Sequence, residues 1–178
     1  METRARGVDE LGVRKGDEEN DEGISPGQRH IRILRSSPKE ADVEEFIRWV
    51  KEWFGVEIEV PLFKSGKRRI RASSYEAHEF GSESVIKGVY VAKWAPYGYI
   101  LSIEGSYLVG KKARRHVVQL NREQFLRWMS GENLRMGLQE KGVYIVKYGK
   151  IFAGSGYFDG NELINLIPKS RTLETNTN

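Results

Sequence analysis

The 178-residue sequence contains no cysteine. That absence excludes disulfides, thiolate metal sites and cysteine nucleophiles together. Histidine is scarce, and His30, His78 and His116 are far apart with no partner at ligand spacing, so no metal site is expected. No apolar run approaches the roughly 18–20 residues that a membrane-spanning helix needs. The opening METRARGVDE lacks the apolar core of a signal peptide, and a cytoplasmic location is expected. Neither a Walker-type phosphate loop nor a G-x-S-x-G elbow occurs. Gly154-Ser155-Gly156 looks like a fragment of a Gly-rich phosphate loop. It lacks the third glycine and the long helix that should follow, and reads as a tight β-turn. Glu44 and Glu45 read as a solvated helix face, not as an acid/base pair. These exclusions leave no catalytic constellation and no expected cofactor.

Charge is abundant, and its distribution says more than its sum. Lys and Arg total 29 against 25 Asp and Glu, a net charge of only +4. Residues 1–27 hold four basic and eight acidic side chains, a net of −4, so the remaining chain carries +8. Val8, Leu11 and Val13 are too few to offset the entropy of ordering that opening segment. It is expected to be a mobile acidic tail, ended by Ser25-Pro26-Gly27. The asymmetry points weakly to a polyanionic partner.

The body divides by pattern. Ile31–Leu34 is expected to be a strand. A helix follows, with Ser37 as N-cap, Pro38 at its first position and Glu40 completing a capping box. Val43, Phe46, Ile47, Val50, Trp53 and Phe54 fall at helical spacing, and Gly55 ends the helix. Val56–Val60 alternates as a half-buried strand, with Lys67–Ala72 as its hairpin partner turned at Ser65-Gly66. Beyond residue 85 short β-rich runs dominate: 85–94, 97–103, 107–109, 116–120, 142–148 and 150–153. One helix interrupts them at Arg122–Met129, capped by Asn121 with Gln124 at its third position, and with Leu120 and Phe125 placed as a staple. The expected organisation is α+β: a tail at 1–27, a small α/β subdomain at 28–84, and a small β-barrel with one short helix at 85–174.

Two stretches stand out because acidic residues are missing from them. Between Glu59 and Glu76 lie Lys64, Lys67, Arg68, Arg69 and Arg71. Between Glu104 and Glu123 lie Lys111, Lys112, Arg114, Arg115 and Arg122. Lysine and arginine bind phosphate through charge, and arginine adds a two-pronged hydrogen-bond geometry. Tyr75, His78, Tyr97, Tyr99 and Tyr107 are candidates to stack on unpaired bases. Either basic run alone also reads as a solvated surface; the two together favour nucleic acid.

From Gly110 to Leu173 the motifs occur in a recognisable order: the basic turn GKKARR, then LNREQFLRWMSGENL, GVYIVKYGKIFAGSG and DGNELINLIPKSRTL. This region resembles the C-terminal PUA-type RNA-binding domain of the Sun/Fmu class of ribosomal RNA 5-methylcytosine methyltransferases. Asn165, Pro168, Lys169 and Arg171 stand at the positions matching the family's closing motif. Tyr157 and Ile164 depart from it, standing where the family has basic residues. The resemblance implies a PUA-like barrel and an RNA partner, ribosomal in kind. Lys111, Lys112, Arg114, Arg115, Lys169 and Arg171 are its candidate contacts, beside Lys67, Arg68, Arg69 and Arg71 of the first run. That family's reaction needs a thiolate to attack the pyrimidine, and the sequence has none. The expectation is a stand-alone, non-catalytic RNA-binding protein of ribosome assembly. The alternative is a module that docks a separate RNA methyltransferase.

Overall fold

The computed structural model describes residues 40–74 and 88–173. The expected acidic tail, the strand at Ile31–Leu34 and the cap at Ser37-Pro38 lie outside the described residues.

The apolar spacing of α1 (Val43–Phe54) builds the first core. Phe46, Trp49, Val50, Trp53 and Phe54 recur at i, i+3, i+4, i+7 and i+8, and all five are buried. Trp49 takes a core position, whereas Ile47 falls off the stripe and is 37% exposed. The cap is Asp42, not Ser37: its carboxylate accepts from the Glu45 backbone N–H at 2.8 Å. Ala41 N–H donates to the Lys67 carbonyl at 2.8 Å, which ties Ala41 to a neighbouring turn. Gly55, at φ 71°, ends the helix as expected.

Val56–Val60 is a second correction. Its burial alternates as a strand's would, but it joins no ladder among the described residues. The hairpin partner is instead β1 (Leu62–Ser65), which pairs with β2 (Arg69–Ala72). Then come β3 (Val89–Ala95) and β4 (Gly98–Leu101), and the four strands form an antiparallel sheet in chain order. The sheet runs across the boundary expected at residue 85, because β2 and β3 are hydrogen-bonded neighbours.

The residues expected as a strand at 107–109 lie in a helix, α2 (Ile103–Gly110). Ser102 caps it by accepting from Gly105 N–H at 2.8 Å. Gly105 lies against the Val91 carbonyl so closely that a Cβ there would stand 2.0 Å from the oxygen. Tertiary packing here overrides the β preference of Tyr107 and Val109.

The second sheet holds β5 (Val117–Gln119), β6 (Leu134–Arg135), β7 (Gly142–Tyr148), β8 (Ile151–Phe158) and β9 (Glu162–Asn165). Its order is β5-β7-β8-β9-β6, with β5 parallel to β7 and the other pairs antiparallel. It curls as a half-barrel, and the whole is the mixed α+β, PUA-like architecture expected. The helix α3 (Arg122–Met129) carries the expected reciprocal Asn121/Gln124 box. It plugs the half-barrel with Trp128, whose indole N–H donates to the Ala153 carbonyl at 2.9 Å. A short 3-10 turn (Lys169–Arg171) ends the described chain.

Gly154-Ser155-Gly156 is no turn. It lies within β8, where two glycines let other elements approach. The buried Ser155 hydroxyl accepts from Leu101 N–H and donates to the Leu101 carbonyl, each at 3.0 Å, and so stitches β4 to β8. One apolar core therefore runs from Phe46 and Trp49 of α1 to Val143, Ile145 and Tyr157 of the second sheet.

Candidate nucleic-acid interface

On β2, Ile70 is fully buried while Arg69 and Arg71 point to the opposite face. The register sets Arg69 against Lys93 and Arg71 against Tyr90 on β3. Directly opposed residues share a face, so Arg69, Arg71 and Lys93 form one cationic sheet face that includes a lysine from outside the expected runs. Lys67 and Arg68 occupy the β1–β2 turn at its end. Arg69 and Lys93 are exposed and make no ion pair among the described residues. Arg71 donates through Nη1 to the Gly88 carbonyl at 2.9 Å, and its Nε is buried without a partner among the described residues. Lys64 is engaged elsewhere, 2.7 Å from the Glu40 carboxylate.

Of the C-terminal candidates, Arg171 is held by Glu104 of α2. Its carboxylate accepts from Arg171 Nη2 at 2.9 Å. The Tyr90 phenol is raised above its ordinary pKa by burial, lowered by Arg69 and Arg71, and raised by Glu104. Tyr90 faces Arg71 across the register, and its carbonyl accepts from the hydroxyl of Ser102, the cap of the helix that carries Glu104. Lys169 is exposed on the same 3-10 turn. Asn165 is occupied within the fold. Its amide donates to the Trp128 and Glu132 carbonyls at 2.6 and 3.2 Å, and its Oδ1 accepts from Ile167 N–H. It latches the closing segment onto the end of α3.

The second basic run is exposed throughout, and some of its members also make contacts within the fold. Arg114 N–H donates to the Phe54 carbonyl at 3.0 Å, and the Arg115 guanidinium donates to the Glu52 carbonyl. Both contacts satisfy orphan carbonyls at the C-terminus of α1, where cationic side chains also suit the helix dipole. Lys112 is 3.0 Å from the Glu59 carboxylate. His116 follows at φ 57° and stacks on Trp53 with ring centroids 3.8 Å apart. Its Nδ1–H donates to the Trp53 carbonyl at 2.6 Å, since a carbonyl can only accept. Lys111 is different: its ammonium sits 4.5 Å from the centroid of the Tyr107 ring. Arg122 opens α3 on the surface.

Of the stacking candidates, Tyr99 is fully buried in the first core and cannot meet a base. Its hydroxyl donates to the Asp42 carbonyl at 2.8 Å and accepts from Asp42 N–H at 2.9 Å. Tyr97 is 39% exposed and stacks on Tyr157 at 4.8 Å. Tyr107 is 53% exposed. Tyr75 and His78 lie outside the described residues. A groove of about 760 Å³, unforeseen from sequence, runs beside Tyr107 between β3, α2 and the β7–β8 turn. Val89, Tyr107, Ile151 and Phe152 supply its apolar wall, with Lys150 at the turn. Only the three-dimensional fold could reveal it, because its walls come from five separate parts of the chain.

No curated protein matches the chain. Residues 115–173 match the family model described as the methyltransferase RsmF PUA domain. The match takes in β5 through the closing 3-10 turn and leaves α1, the first sheet and α2 outside it. The C-terminal third of this chain is thus similar to the C-terminal PUA region of the Sun/Fmu methyltransferases.

Proposed function

We propose that this chain is an RNA-binding protein without chemistry of its own, acting in the cytoplasm in ribosome biogenesis or ribosomal RNA maturation. The observation that carries the reading is the cationic sheet face of Arg69, Arg71 and Lys93, set in a molecule whose C-terminal third is similar to a PUA domain. Each phosphate neutralised there releases counterions, which supplies sequence-independent affinity. Lys67 and Arg68, in the β1–β2 turn at the end of that face, extend the track. The PUA similarity, to domains of methyltransferases, favours ribosomal RNA as the partner. The missing thiol favours a role in contact, leaving modification to a separate enzyme.

Crosslinking in cells, followed by sequencing of the attached RNA, tests this directly. Enrichment of ribosomal RNA fragments is expected. Recovery of a methyltransferase with no RNA would replace the reading with protein docking. Methyl transfer to ribosomal RNA by the purified chain would overturn its non-catalytic part.

A further inference from the structure

The groove beside α2 belongs to neither the cationic sheet face nor the segment matched to the PUA model alone. Its wall is aromatic and open: Tyr107 and Phe152 meet edge to face at 5.8 Å. Val89, Tyr107 and Ile151 are each more than half exposed, so three large apolar side chains meet water in one concavity. Its volume, about 760 Å³, lies within the range of roughly 300–1,000 Å³ typical of small-ligand sites.

Among the described residues, the charges around it are mostly positive. Lys111 stands over the Tyr107 ring, Lys147 lies 5.7 Å from the Phe152 centroid, and Lys150 lines the groove. None of these three lysines makes an ion pair among the described residues. The one carboxylate in the lining, Glu104, is already paired with Arg171. An apolar ligand without charge would leave this lysine ring unused, and an anion alone would leave the aromatic wall in water. A nucleotide satisfies both, because its base has a π-face and its backbone an anionic phosphate.

We infer that the groove receives an unpaired base of single-stranded RNA, stacked on Tyr107, with the flanking phosphates on Lys111 and Lys150. This rests on the RNA-binding reading above and names the part of the RNA that this site takes. Duplex RNA offers no free base face and is excluded from the groove, though not from the cationic sheet face.

The test uses a fluorescently labelled single strand of about twelve nucleotides, within the span of single-strand sites, and a blunt duplex of the same sequence. Tyr107→Ala is expected to weaken single-strand binding by about five- to a hundredfold and leave duplex binding unchanged. Tyr107→Phe keeps the ring and should bind like the parent. Lys150→Ala should flatten the salt dependence by roughly 0.7 for each phosphate it no longer neutralises. Because Tyr107 is half exposed, circular dichroism should report a native fold for both Tyr107 variants. Equal single-strand affinity of Tyr107→Ala and parent overturns the groove assignment while leaving RNA binding intact, and would turn the groove over to an apolar peptide. Failure of the parent to bind either RNA overturns both.

Discussion

At the scale of single residues, position 105 sets two opposing effects against each other. Replacing a helical glycine by alanine normally gains up to ~1 kcal/mol of helix propensity. At Gly105 the new Cβ would stand 2.0 Å from the Val91 carbonyl oxygen, which is β3 backbone and cannot swing away. Overpacking of that kind costs ~1–3 kcal/mol or more. Gly105→Ala is therefore expected to lower stability by about 2 kcal/mol or more, measured by urea unfolding; an unchanged or raised midpoint would contradict the packing. Tyr99 gives a pH dependence. Burial raises its phenol well above the ordinary value, Asp42 opposes this through its backbone, and the Glu45 carboxylate reinforces it. A raised folded-state pKa means that the stabilisation is complete below the unfolded value near pH 10 and is lost as pH rises through the folded value. Stability should fall above about pH 10, and Tyr99→Phe should remove that part of the decline. A slope identical in the variant would place the alkaline transition elsewhere.

At the scale of elements, local chemistry was readable wherever it decided the structure. The Asn121/Gln124 box and the span Arg122–Met129 follow from capping and periodicity, and both hold in the structure. The end of α1 at Gly55 is equally legible, and so is its stripe except for Trp49, which the spacing omits, and Ile47, which it wrongly includes. Errors arose where tertiary contact outweighed the local signal. α2 is helical despite Tyr107 and Val109 because Ser102 caps it and Gly105 fits under β3. Val56–Val60 alternates in burial but pairs with no strand among the described residues. The same distinction governs the second basic run. Sequence marks Arg115 as a cation, whereas the structure spends its guanidinium on the Glu52 carbonyl at the end of α1. Arg115→Ala is expected to cost about 1 kcal/mol of stability and leave RNA affinity within twofold of the parent. A large loss of affinity without loss of stability would return Arg115 to the binding surface.

At the scale of the whole molecule, two patterns separated in sequence share one core. Trp53 of α1 donates its indole N–H to the Val143 carbonyl of β7 at 2.6 Å, and Ser155 joins the two sheets. The PUA-like third and the elements before it therefore present their charges from one scaffold. Sequence identified Arg69 and Arg71 but could not add Lys93, which lies more than twenty residues away and joins them only through strand register. The groove beside Tyr107 was hidden for the same reason. The central claim, that the first sheet carries the phosphate-binding face, is tested most directly by the salt dependence of affinity for a ribosomal RNA fragment, comparing the parent with an Arg69→Ala/Lys93→Ala double variant. Both side chains are exposed, so the fold should survive. With two phosphate-binding cations removed, the slope of log affinity against log salt should flatten by roughly 1.4–1.8. A double variant with the parent's affinity and the parent's slope would contradict the account.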